Sequence, residues 1–138
     1  MLRVAFAVAL VLTGITARAQ EGRDYLCTIE RIANAEGVDD KSLEMRRKNF
    51  VGQQFSVSRR TGIMSGALKN SYFTLPEVID IGSSGNSFKA VTTMRREQGM
   101  GPGSNVHVLV VREYESSPKK TFVYLDNDEL YFGKCIHF

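Results

Sequence analysis

The stretch "FVYLDNDELYFGKC", residues 122–135, decides how this chain folds. Two runs of apolar and aromatic residues flank four polar ones. If Asn127 and Asp128 form a two-residue loop, Leu125 faces Leu130 and Val123 faces Phe132 on one side. Tyr124 then faces Tyr131, and Phe122 faces Gly133, on the other. Such cross-strand pairs are the unit of sheet stabilisation. Asn suits the left-handed first position of a tight hairpin loop; Asp suits the second less well than Gly, so a longer loop is the alternative. Gly133 opposite Phe122 leaves room for the ring. A calcium loop is the competing reading. Begun at Asp126, it finds Asp128 at its third position but Leu130 at its fifth, Tyr131 at its sixth and His137 at its twelfth, so the pattern fails after two ligands. A hairpin turn is expected here, and no metal site.

Cys135 closes the quoted stretch, and the other cysteine is Cys27. A redox or metal pair needs closely spaced thiols, which this spacing does not supply. The beginning of the chain bears on the same point. Arg3, the apolar run Val4 to Ile15 and the small-x-small site Ala17 to Ala19 read as an export signal cut after Ala19. The apolar run is shorter than the about 20 residues that span a membrane. An exported chain reaches an oxidising compartment, where an even pair of cysteines is bonded. A Cys27–Cys135 disulfide is therefore expected, and the expected localisation is periplasmic or secreted.

Without residues 1–19 the charge changes. The whole chain has 18 basic and 15 acidic residues, +3; losing Arg3 and Arg18 leaves 16 basic against 15 acidic, +1. The sequence pI near 9.0 overstates the basicity. A near-neutral surface gives no electrostatic footprint for nucleic acid. Residues 20–138 are enough for one domain with its own core, and no second apolar segment is long enough to span a membrane.

Upstream of the final hairpin the chain reads as further strands. Asp24 to Ile32 is the first, carrying Cys27. Polar residues follow to Asn49, where Asp39 or Asp40 can cap a short helix near 39–48 with cations at its end. Phe55 and Val57 alternate with serines before the turn "RRTG", which places Arg59 and Arg60 at an exposed hairpin tip and starts a return strand at Ile63. Val78 to Ile81 form a short strand after Pro76. Phe88 to Met94 alternate with Phe88, Ala90, Thr92 and Met94 on one face. "EQGMGPGSN", residues 97–105, is a loop. Val106 to Tyr114 is apolar on both parities at first, which predicts a central strand covered on both sides. The fold expected is all-β with one short helix: an antiparallel meander of seven or eight strands, forming a small barrel or sandwich closed by one disulfide.

Chemistry-bearing residues are sparse. His107 lies in the valine-rich strand and His137 near the end, on an expected frayed terminus. Neither has a nucleophile placed beside it by sequence. Glu113, Glu115 and Asp80 read as solvent-facing acids. "GMGPGSN" is neither a Walker A nor a dinucleotide loop, and Pro102 removes a backbone donor. The pattern of signal, early "YLC", glycine-punctuated hairpins and terminal "GKC" resembles many small exported bacterial proteins, which implies an envelope setting and names no activity. No catalytic residue, cofactor or metal is expected. The expected role is a non-enzymatic binding module, with an envelope protein, a glycan or a small apolar ligand as partner. Its contact surface is expected at loop tips: Arg59, Arg60, Arg95, Arg96, Met100, Lys119 and Lys120. The alternatives are a lipocalin-like barrel with a ligand cavity and a hydrolase using carboxylates.

Overall fold

The computed structural model describes residues 23–37 and 40–138. The expected signal over 1–19 and the alternative cap Asp39 lie outside the described residues. Eight strands and one α-helix follow in order: β1 (Tyr25–Asn34), α1 (Lys41–Phe50), β2 (Gln54–Val57), β3 (Met64–Gly66), β4 (Glu77–Ile81), β5 (Phe88–Met94), β6 (Asn105–Val111), β7 (Lys120–Asp126) and β8 (Glu129–His137). A short 3-10 turn, Arg96–Gln98, sits between β5 and β6.

All strands join one antiparallel sheet in the order β3-β2-β1-β8-β7-β6-β5-β4. The sheet curls into a half-barrel. This is the barrel-like antiparallel meander expected, left open between its two edges, β3 and β4. The β4-to-β8 meander is extended by β1, which lies against β8. Cys27 and Cys135 are directly opposite in that pairing and are disulfide-bonded. The last hairpin has the register that its residues predict, Phe122 to Gly133 through Asp126 to Glu129, with Asn127 left-handed at φ 55°.

The concave face is the core. Six aromatic rings fill it: Tyr25, Phe55, Phe88, Phe122, Tyr124 and Tyr131 are all fully buried. A register shift in β1 between Ile29 and Arg31 lets both Ile29 and Ile32 point inward although they are three residues apart. Asp40 caps α1, its carboxylate accepting from Leu43 N at 2.7 Å. The helix covers the end of the core beside β1 and β8: Leu43 is buried, and Phe50 meets Tyr131 edge-on at 6.0 Å.

Three expectations need correction. β6 is covered on one face only: His107, Leu109 and Val111 are buried, whereas Val106 is exposed and Val108 and Val110 are half-buried. A single curled sheet has no second layer over its convex side, so the outer valines lean only on their cross-strand neighbours. His137 does not fray. It ends β8, stacks on Tyr25 at 4.9 Å and holds Glu113 at 3.0 Å. Arg59 is not exposed, at 7% accessibility, although Arg60 is. Its Nε and Nη2 donate to the carbonyls of Ile81 and Gly82 at 2.8 and 3.0 Å. Arg59 thereby bridges from the end of β2 to the end of β4, across the open side of the half-barrel. The β2–β3 turn presses against the same side. A Cβ on Gly62, where φ is 73°, would lie 3.0 Å from Ala90 Cβ and 3.2 Å from Pro76 Cβ.

Replacing Arg59 by Met keeps the stem but leaves two carbonyls without their charged donor. A stability loss of about 2–3 kcal/mol is expected. Chemical denaturation of R59M against wild type measures it; a loss under about 0.5 kcal/mol would make the bridge ornamental.

Candidate functional site

The expected contact residues do not form one surface. Strand direction places Arg95, Arg96 and Met100 in the β5–β6 loop at one end of the half-barrel. Arg60, Lys119 and Lys120, with Arg59, fall at the other end, near the β6–β7 turn and the end of β8. Arg60, Arg95, Arg96 and Lys119 are exposed, and Met100 is 91% accessible. Lys120 turns inward, its ammonium donating to the carbonyls of Glu113, at 3.0 Å, and Glu115. It fastens the β6–β7 turn.

The carboxylates are likewise occupied. Glu113 accepts from Tyr25 OH at 2.9 Å, faces His137 at 3.0 Å and lies 3.9 Å from Arg59. Burial, then this bond to Glu113, raises the Tyr25 phenol above its ordinary pKa. Glu115 accepts from Thr121 N and Oγ1; burial opposes its ionisation, but these two bonds hold its pKa below the ordinary value. Asp80 pairs with Lys89 at 3.6 Å and accepts from Gly82 N. These groups tie strand ends together.

The opposite end is different. A pocket of about 70 Å³ opens there, between the start of β6, the end of β5 and the segment 70–74. Thr92, Met94, Asn105 and His107 supply its sheet side. Asn70, Tyr72, Phe73 and Thr74 supply the other. The segment 70–74 is held in place at both ends. Asn70 Nδ2 donates to Gly62 O and its Oδ1 accepts from Met64 N, at 2.8 and 2.9 Å. Thr74 Oγ1 donates to Thr93 O at 2.8 Å. Between these anchors Tyr72 and Phe73 stand out into solvent, 66% and 57% accessible. Single exposed hydrophobics are common, but contiguous ones mark contact sites, and these two rings are adjacent.

The floor is polar and incompletely bonded. His107 is 8% accessible and its Nε2 lies 3.2 Å from Asp126 Oδ1. A carboxylate only accepts, so in the neutral ring Nε2 carries the proton and Nδ1 presents a lone pair. His107 Nδ1 has no hydrogen-bond partner among the described residues. Neither has Thr92 Oγ1, although Thr92 is 5% accessible. Thr92 and His107 are directly opposite on β5 and β6, both facing inward. Buried polar atoms are nearly always paired, so two orphans in one pocket are an exception that asks for a cause.

The acidic hairpin tip braces this wall from behind. Asp126 holds His107. Asn127 Oδ1 accepts from Val106 N at 3.0 Å, and its amide donates to Asn105 Oδ1 and Asp126 Oδ1, each at 3.2 Å. Glu129 pairs with Arg46 of α1 at 3.0 Å and accepts from Tyr131 OH at 2.9 Å. Burial, then that bond, pushes the Tyr131 phenol up to about 12. Burial, then the Asp126 charge, raises Tyr124 as well. Among the described residues no group of three or more His, Cys, Asp or Glu side chains is placed to hold a metal ion, and no helix is long and apolar enough to cross a membrane.

The sequence does not single out Tyr72, Phe73 or Thr92 as site residues, and it places no nucleophile beside His107. The only available signals were an inward parity for Thr92 and two adjacent aromatics before Pro76. Their convergence needs the β5–β6 register, which no motif carries. No family model matches the chain, and no curated protein or solved structure matches it.

Proposed function

We propose that this domain is a non-enzymatic binding module of the bacterial cell envelope, exported and oxidised outside the cytoplasm, that takes its ligand at the mouth beside His107. One observation carries the reading: two buried, unpartnered polar atoms lie behind two exposed aromatic rings in one pocket. The disulfide supports an oxidising compartment. A lipocalin-like cavity is less well supported, because six aromatic side chains occupy the inside of the curl. Catalysis is less well supported too. Thr92, His107 and Asp126 resemble a nucleophile, base and orienting acid in type, but no hydrogen bond joins the Thr92 hydroxyl to the ring. Glu113, Glu115 and Asp80 each have donors or cations of their own around them.

The test is a titration of the ¹⁵N-labelled domain with soluble envelope extract. Amide shifts are expected to concentrate at 70–75, 92–94 and 105–107. Shifts confined to the Arg60 and Lys119 end, or no shifts, would refute the assignment.

A further inference from the structure

From the two orphaned atoms we infer the ligand's chemical class: an uncharged, hydroxyl-bearing ring of the sugar type, seated edge-on between Thr92 and His107. The inference rests on the mouth being the binding site. Directly opposed residues on adjacent strands have Cβ atoms about 4.5–5.5 Å apart, and Thr92 and His107 are so opposed. In its neutral form the His107 ring presents Nδ1 as an acceptor; the Thr92 hydroxyl donates and accepts. Both atoms are closed to solvent in this structure, so the floor has to part for one ligand hydroxyl to come between them, donate to Nδ1 and accept from Thr92 Oγ1, satisfying both. An amide N–H only donates, and a carbonyl or carboxylate only accepts, so neither does the same alone.

The lining excludes charge. It contains no Asp, Glu, Lys or Arg. The nearest charges stand outside the lining, Asp126 behind His107 at 3.2 Å and Lys69 Nζ 5.9 Å from the Tyr72 ring, so a phosphate, carboxylate or ammonium entering it would lose hydration for no direct ion pair. Size sets how the ligand sits. The pocket is about 70 Å³, roughly half of the about 150 Å³ engineered cavity that holds benzene. It therefore admits the edge of a ring and leaves the remainder outside, where Tyr72 and Phe73 stand. A sugar ring has the matching anatomy, with hydroxyls at its edge and C–H groups on its face. Aromatic side chains supply a broad apolar surface at low conformational cost, and a tyrosine adds a polar tip.

The experiment is calorimetric and NMR titration of the disulfide-bonded domain with the methyl pyranosides of glucose, galactose, mannose and N-acetylglucosamine, and with tetrahydropyran, a ring without hydroxyls. At least one glycoside is expected to bind saturably and to shift Thr92, His107, Tyr72 and Phe73. Tetrahydropyran is expected not to bind. Thr92→Val and Tyr72→Ala should each weaken glycoside binding at least tenfold, whereas Lys119→Ala, at the far end, should not. Tyr72 is exposed, so its variant tests the site without disturbing the core. Soluble oligosaccharides of the binding sugar distinguish a free monosaccharide ligand, bound equally well or better alone, from the end of a polymer, bound more tightly as an oligomer. If no glycoside binds but envelope extract still shifts the mouth, the sugar class is wrong and the site stands. If neither perturbs the mouth, both readings fall. Glycoside binding that survives Thr92→Val undiminished also overturns the inference.

Discussion

Reducing the Cys27–Cys135 bond is expected to lower the domain's stability by about 4–5 kcal/mol. The bond joins residues 108 apart in sequence. On the chain-entropy account a loop of that length constrains the unfolded chain by nearly 5 kcal/mol at 25 °C. That is a large share of the roughly 5–15 kcal/mol that holds a typical domain folded. The position in the sheet makes the effect specific. β1 and β8 come from opposite ends of the described chain, yet they form the central join between the β1–β3 and β4–β8 halves of the sheet. Without the cross-link, that join depends on backbone pairing and on core contacts formed at the full cost of closing the chain. Urea unfolding with and without reductant measures it, as does a Cys27→Ala/Cys135→Ala pair, which avoids burying hydroxyls. With a slope of 1–3 kcal/mol per molar urea, the midpoint should fall by roughly 2 M. A midpoint unmoved by reduction would mean that the β1–β8 pairing needs no help from its covalent link.

Gly133→Ala should be comparably damaging. Gly133 faces Ile29 on one side and Phe122 on the other. A Cβ there would lie 2.0 Å from Thr28 O and 2.8 Å from Phe122 Cε1. The ring can tilt, but a carbonyl of the neighbouring strand moves only if β1 moves. The obstruction sits beside the irregular step in β1, with Glu30 N 3.1 Å away, so β1 and β8 would have to separate where the register changes. Overpacking that can relax costs about 1–3 kcal/mol; this contact is against backbone, and a loss of about 4 kcal/mol or failure to fold is expected. Gly101→Ala is the control. Its Cβ meets nothing within 4 Å, and its effect should stay within about 0.5 kcal/mol. Thermal melts of the two variants side by side decide it; equal melting temperatures would contradict the packing described here.

The sequence made the last hairpin legible residue by residue, because a two-residue loop fixes register and period-2 alternation then fixes faces. The helix was legible from Asp40 and its trailing cations. The β1–β8 pairing was legible only through the cysteines, since strand pairing between distant segments leaves no local mark. The valines of β6 misled: an apolar run on both parities looks the same whether a second layer covers the strand or cross-strand neighbours merely shade it. Arg59 misled for a related reason. A turn arginine reads as solvated until the curl brings the end of β4 beneath it. His137 reads as frayed until Tyr25 and Glu113 are seen beside it. The mouth was least legible, because it is assembled from three segments, 70–74, 92–94 and 105–107, and its polar floor depends on an Asp in a fourth. The acidic tip "DNDE" illustrates the point: Asp126, which begins the calcium-loop pattern, is the residue that orients His107.

If this domain binds at the mouth beside His107, the imidazole itself reports it. With ¹⁵N-labelled histidine, the ring nitrogens of His107 are followed as soluble envelope extract is added to the disulfide-bonded domain. Nδ1, which no described protein group bonds, is expected to shift as it gains a donor, while Nε2 keeps its contact with Asp126. Ring resonances that remain fixed while backbone amides move elsewhere would contradict it.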